Sequence, residues 1–232
     1  MRQRLCLFWI VLILGEKMAK KLWGGRFPKK TSELTDRFTS SISFDKRLAV
    51  YDILGSIAHA RMLGKQKIIP AKDAGLIIRG LKAILKDAKG GKFKFDPRAE
   101  DIHSNIQDVL FKKIGEPAHK LHTARSRNDQ IALDVKMYIK DEINNLTEGI
   151  NSLQKAILKF AKGNARIIIP GYTHLQVAQC VLLAHHLLAY VEILQRDKER
   201  LMDAAKRADY MPLGSCALSG TSLAINREDV RK

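Results

Sequence analysis

The densest run of polar side chains in this sequence is His122-Thr123-Ala124-Arg125-Ser126-Arg127-Asn128-Asp129-Gln130, immediately ahead of a long stretch with helical periodicity. A helix start presents free N–H groups and the positive end of the helix dipole, and both attract anions. Two arginines at such a place can fork onto carboxylates, with hydroxyl and amide side chains completing the grip. The same run also reads, without chemistry, as an N-cap with solvated charges. A second polar cluster, Pro170-Gly171-Tyr172-Thr173-His174-Leu175-Gln176, falls at a predicted turn that feeds another apolar segment. His174, with Thr173 and Gln176 available to orient its ring, has what a general acid or base needs, although a lone histidine is more often structural. Asp101 and His103 stand at a further helix start, where a polar face can line a site.

Other candidates carry less. His119 and His122 are spaced i, i+3 and His185-His186 are adjacent, but neither pair has a suitable third ligand nearby, so no metal is expected. Cys6, Cys180 and Cys216 lie far apart with no C-x-x-C spacing, which argues against a disulfide framework and for a reducing cytoplasm. Cys180 reads as a small buried hydrophobe. The stretch Gly24-Gly25-Arg26-Phe27-Pro28-Lys29-Lys30-Thr31 lacks phosphate-loop spacing, and no G-x-G-x-x-G or G-x-S-x-G occurs. No cofactor is implied.

The elements that must position these groups are helical. Ile53, Ile57, Ala60 and Leu63 recur at helical spacing within 48–63, a second such segment spans 73–88, and a third spans 101–114. Residues 90–97 predict a loop with room for a short extended piece, and Gly115-Glu116-Pro117 a break. Between Asn128 and Gly163, Ile139, Ile143, Leu146, Ile150, Leu153, Ile157 and Phe160 alternate spacings of four and three, a heptad seam. Asn128 or Asp129 is expected to cap that helix. Pro170-Gly171 predicts a turn, 177–208 a buried bundle helix without glycine or proline, and 211–221 a Gly/Ser-rich loop.

Composition agrees with a mainly α, globular protein: of 232 residues, 46% are hydrophobic and only 6% aromatic. The net charge of +17 suits either a nucleic-acid or membrane-surface binder or an enzyme of anionic substrates. Its lysines and arginines are spread along helical stretches instead of forming one basic, aromatic-studded stripe, so no nucleic-acid partner is expected. The apolar run from Leu5 to Leu14 is too short for a membrane helix. We expect residues 1–17 to be a non-native upstream extension, with translation starting at Met18 behind Gly15-Glu16-Lys17.

Together, Leu22-Trp23-Gly24-Gly25-Arg26-Phe27, Asp101-Ile102-His103, His122 to Gln130, Pro170 to Gln176 with Ala178-Gln179, and Pro212-Leu213-Gly214-Ser215 resemble the argininosuccinate lyases of the aspartase/fumarase superfamily. The resemblance runs from Lys21 to the end. It implies a small helical amino-terminal domain, 18–126, followed by long helices of a central helical bundle, 127–232, truncated here. It further implies a cytoplasmic homotetramer with argininosuccinate as substrate, split to arginine and fumarate in arginine biosynthesis. By the same resemblance Ser41, Asp45, Asp101, His103, Arg127, Asn128 and Thr173 bind substrate and His174 is the catalytic acid/base. The family's second proton-transfer group, a serine on a Gly-Ser-Ser loop, has no match, so the chain alone is expected to be inactive. Gln107, Cys180 and Cys216 depart from the glutamate, proline and glycine usual in the family. Cys216 would be tolerated only where the backbone is not left-handed. The competing readings are another superfamily lyase, such as adenylosuccinate lyase, and a non-catalytic basic helical binding module.

Overall fold

The computed structural model describes residues 31–231, so the extension expected at 1–17, the start at Met18 and the Leu22–Phe27 block lie outside the described residues. Three helices build the core. In α3 (Ala49–Lys65) the apolar face of Ile53, Ile57, Ala60 and Leu63 is buried, and in α4 (Ala71–Lys89) so is that of Ala74, Ile77, Leu81 and Ile84. α5 (Ile102–Ile114) adds Ile102, Ile106 and Leu110. Its ends are fixed locally: the Asp101 side chain accepts from Ser104 N at 2.7 Å, and Gly115 closes it at φ 70°. Ahead of α3 come two short helices, α1 (Glu33–Thr39) and α2 (Ile42–Asp45), and a 3-10 turn over Lys46–Leu48.

A 3-10 stretch, Glu116–His122, leads into α6 (Arg127–Gly163), which runs 37 residues. Neither Asn128 nor Asp129 is its cap. Ser126 is, because its hydroxyl accepts from Asn128 N at 3.2 Å while Asp129 reaches back to Ser126 N at 2.9 Å, a reciprocal capping box. α6 packs against α3 near its start and against α7 (Leu183–Ala208) over the rest of its length. α8 (Arg227–Arg231) returns to α3, where Asp229 meets Lys65 at 2.6 Å.

Four expectations for the next segment are corrected. Pro170-Gly171 is not a turn but part of β1 (Ile168–Thr173), which pairs antiparallel with β2 (Gln176–Leu182). The bundle helix starts at Leu183 instead of 177, since 177–182 is β-rich in Val, Cys and Leu and finds a strand partner. None of the residues of α7 is buried, because in a single chain only one face of it meets a neighbour. Cys180 is exposed on β2, not a buried hydrophobe. No described helix is long and apolar enough to cross a membrane.

The α4–α5 contact depends on a missing side chain. A Cβ at Gly80 would lie 2.6 Å from Leu110 Cδ1 and 3.2 Å from Ile114 Cγ2. Gly80→Ala should therefore cost about 1–3 kcal/mol by overpacking. Gly149, mid-helix in α6, has nothing within 4 Å of the same position. Gly149→Ala should gain about 0.5–1 kcal/mol from helix propensity. Urea unfolding followed by circular dichroism reads both, and a neutral Gly80→Ala would contradict the packing of α4 on α5.

Candidate functional site

The polar run ahead of α6 folds onto the ends of α2 and α5. Asp45 Oδ2 accepts from Ser41 Oγ at 2.6 Å and from Ile102 N at 3.1 Å, tying α2 to the start of α5. Ser41 N also donates to Glu100 O at 2.8 Å. Asp101, while capping α5, takes Arg127 Nη1 on its other oxygen, and Arg127 Nη2 donates to Ser104 Oγ at 2.9 Å. Ser41, Asp45, Asp101 and Arg127 are thus joined through the first turn of α5. His103 belongs to that same first turn.

His103 lines a pocket of about 400 Å³ together with Gln107, His119, His122, Arg125, Ser126, Arg127 and Gln130. No carboxylate lines it. Two guanidinium groups, three imidazoles and two amides make a wall suited to an anion. Of the pair at the start of α5, His103 lines the pocket and Asp101 does not, Asp101 holding Arg127 from behind.

Behind the pocket lies a buried ionisable cluster. His103 Nδ1 is 3.3 Å from Asp52 Oδ1 and 3.7 Å from Asp134 Oδ2. Neither approach is an in-line hydrogen bond, since His103 Nδ1 and both Asp134 oxygens are without hydrogen-bond partners. Gln130 Nε2 donates to Asp52 Oδ1, and Arg125 Nη1 to Ser56 Oγ at 2.8 Å. Burial alone would raise the Asp52 carboxyl, but His103, Arg125 and the Gln130 amide together hold it below the usual carboxylate range. Asp134 is pushed up to about 9, by burial and then by ionised Asp52, with Arg125 offsetting only part. Burial also lowers Arg125, against the pull of Asp52, Asp134 and Asp129.

One ligand atom each from Asp52, His103 and Asp134 falls within 4.8 Å of the others, a spacing compatible with a metal ion. The surroundings oppose one, because the Arg125 guanidinium acts on both carboxyls and Gln130 occupies Asp52 Oδ1. Asp129 anchors a different segment: its Oδ2 accepts from Gly214 N at 3.0 Å and Cys216 N at 2.8 Å, holding the 211–221 loop against the start of α6. Cys216 stands at φ 56°, left-handed after all, and its Sγ lies 3.4 Å from Ala124 O.

His174 and Thr173 are elsewhere. They sit at the tip of the β1–β2 hairpin, where Thr173 pairs with Gln176 across a two-residue turn, and both are exposed. His174 (φ 49°) and Leu175 (φ 64°) are both left-handed, as a type I′ turn requires and as Asn-Gly would satisfy more cheaply. Asn128 is exposed on the first turn of α6. Within this chain neither His174, Thr173 nor Asn128 lines the pocket.

Reading the sequence missed Asp52, Ser56 and Asp134. A signal existed: Asp52, Ser56 and His59 recur at i, i+4, i+7 on an otherwise apolar helix, and Gln130 and Asp134 at i, i+4 on α6. Polar residues spaced for one buried face imply partners.

A protein-family model described as "Lyase" matches residues 25–232. The argininosuccinate lyase of Pelotomaculum thermopropionicum is 56% identical over 210 residues, covering 90% of this chain and 46% of that protein. That of Desulforudis audaxviator is 55% identical over 208 residues, with 90% and 45% covered. The chain thus spans about half the length of the curated relatives it matches. Among solved structures, an EDDS lyase in complex with formate superposes with a TM-score of 0.69 at 25% identity, covering 85% of this chain and 38% of that one. A fumarate lyase:delta crystallin from Brucella melitensis bound to cobalt gives 0.67 at 19% identity, covering 82% and 46%.

One buried histidine makes the site pH-sensitive. His59, next to the cluster, is lowered to about 4 by burial and by Arg125, although its Nε2 bonds Thr123 O at 2.8 Å. The folded-state value lies below the ordinary 6.5, so its stabilisation is whole above about pH 6.5 and is lost as pH falls toward 4. The shift corresponds to about 3 kcal/mol. Urea midpoints at pH 7 and pH 4.5 should fall steeply for the native chain and less for His59→Gln, and an equal fall in both would refute this.

Proposed function

The chain belongs to the lyase family, and from that premise we propose that it is part of an argininosuccinate lyase, releasing fumarate from argininosuccinate to give arginine. The observation that carries the reading is the identity of 56% and 55% to two argininosuccinate lyases across nine-tenths of the chain. The pocket chemistry supports it. Removing a proton next to a carboxylate builds negative charge onto that carboxylate, and preorganised guanidinium, hydroxyl and N–H donors stabilise such charge best away from water. Arg125 and Arg127 line the pocket, and Asp101 and Ser104 fix the plane of the Arg127 fork.

In this reading Ser41, Asp45, Asp101, His103, Arg127, Asn128 and Thr173 bind substrate and His174 moves a proton as acid or base. His174 and Thr173 would meet the pocket of another subunit. A strained, exposed turn bearing a histidine fits that role, since local strain of this kind persists where surroundings or function demand it. The complete enzyme is proposed to be a cytoplasmic homotetramer built on the 127–232 helices, with 18–126 as a separate domain. Ile139, Leu146, Leu153 and Phe160 on α6 and Leu188, Ile193 and Met202 on α7 are exposed in the single chain, an apolar surface that seeks partners.

Four outcomes are expected. The 232-residue chain self-associates in light scattering, and a stable monomer would count against the tetramer. Alone, it releases negligible fumarate from argininosuccinate, and turnover near that of the full-length relatives would contradict the need for a second proton-transfer group. In a full-length enzyme, His174→Asn lowers turnover by about 10²–10⁴-fold while arginine and fumarate still bind, as measured by calorimetry. Arg127→Lys keeps the charge but loses the planar fork, so binding weakens along with turnover. Fumarate release from adenylosuccinate in place of argininosuccinate would refute the substrate assignment, and near-normal turnover of His174→Asn would make that histidine structural.

A further inference from the structure

The two carboxyl groups behind the pocket have no part in the reaction as proposed, yet their surroundings are unequal. Asp52 and Asp134 are each 1% exposed. Asp52 receives the Gln130 amide and lies nearer to His103, whereas neither oxygen of Asp134 is hydrogen-bonded. The groups around them come from every packed element: Asp52 and Ser56 from α3, His103 from α5, Arg125 from the connecting loop, and Gln130 and Asp134 from α6. Gly55 on α3 makes room for Leu133, since a Cβ there would lie 3.0 Å from Leu133 Cδ2, while Asp134 Oδ1 at 3.8 Å would be at ordinary contact distance.

Arg125 is the one permanent cation of the cluster, and Asp129, whose carboxylate also accepts from Ser126 N, Gly214 N and Cys216 N, shares it with Asp52 and Asp134. A second ionised carboxylate in the same buried volume would be repelled by the first and left without solvent. We propose that Asp52 and Asp134 are positioning residues that carry one negative charge between them, and that this charge orients the His103 imidazole and the Arg125 guanidinium forming the wall of the pocket. The charge resides on Asp52, which collects the donors. Asp134 stays un-ionised at neutral pH, in line with its raised carboxyl. The pocket's use as a carboxylate site rests on the function proposed above, whereas the division of charge does not.

The test uses the 232-residue chain and two variants, Asp134→Asn and Asp52→Asn. Infrared spectroscopy at pH 7 distinguishes the carbonyl stretch of an un-ionised carboxylic acid from ionised carboxylates. The native chain should show one such stretch, and Asp134→Asn should remove it. The ¹⁵N resonances of the His103 imidazole should stay near their native positions in Asp134→Asn, an isosteric neutral replacement, and move in Asp52→Asn. Fumarate, titrated by calorimetry, should bind Asp52→Asn at least tenfold more weakly than the native chain.

No acid stretch in the native chain, a stretch that survives Asp134→Asn, or equal displacement of His103 in both variants would overturn the proposal. So would stoichiometric Zn²⁺ binding that Asp134→Asn abolishes, which would make the cluster a metal site. Should Asp52→Asn fail to fold, the infrared comparison of the native chain with Asp134→Asn still decides the charge division. Failure of fumarate to bind the native chain, with the infrared result as expected, would overturn the carboxylate reading of the pocket and leave the charge division standing.

Discussion

The arrangement of this molecule depends on a guanidinium that cannot be hydrated. Arg125 is almost wholly buried where α3, α5 and the start of α6 meet, and an unpaired charge in that position would be prohibitively costly. Asp52 on α3 and Asp129 on α6 are the counter-charges around it, with the Asp134 carboxyl beside them. Satisfying one arginine therefore ties α3 to the start of α6. The pocket is the outer side of that constraint: Arg125 and His103 face the cluster and also line the cavity. The groups that line the pocket are held by the groups that permit their burial.

A second layer of polar fastening runs parallel to the first. Asp45, Asp101 and Asp129 each accept from a helix start or a loop amide while also meeting a side chain or a second amide. Each of these carboxylates joins two segments distant in sequence. Helix starts leave N–H groups unpaired, and a short acidic side chain supplies the missing acceptor with charge of the favourable sign. The same residues consequently hold together the segments around the pocket, so substitution at any of them would loosen its frame.

The other half of the chain has a different character. α6 beyond its first turns, the hairpin and α7 bury little in a single copy, and their apolar residues stay open. Hairpin strain at His174 and Leu175 lies on that open side. The buried cluster and the open apolar surface thus divide within α6, between Asp134, the last residue of the cluster, and Ile139, where the exposed seam begins.

Periodicity made the helices legible, because an apolar face recurring every three to four residues has few other solutions. The extents of α3, α4, α5 and α6 were readable to within a few residues, and so was the polar run that becomes the pocket wall. Two failures have a common cause. The strands at 168–182 lack alternation and burial, and a hairpin is stabilised by pairing between its strands, which no single segment reveals. The cap of α6 was misplaced by two residues, since Ser126, Asn128 and Asp129 can all cap and only the backbone geometry chooses. The sequence by itself determined which residues are charged, which are apolar and at what period, and hence the helical class and the list of groups able to grip an anion. Only the tertiary structure decided that Asp52, His103, Arg125 and Asp134 share one dry volume, because bringing Asp52 to the other three across 51 to 82 residues of chain depends on packing, and it is removal from water that makes their charges interdependent.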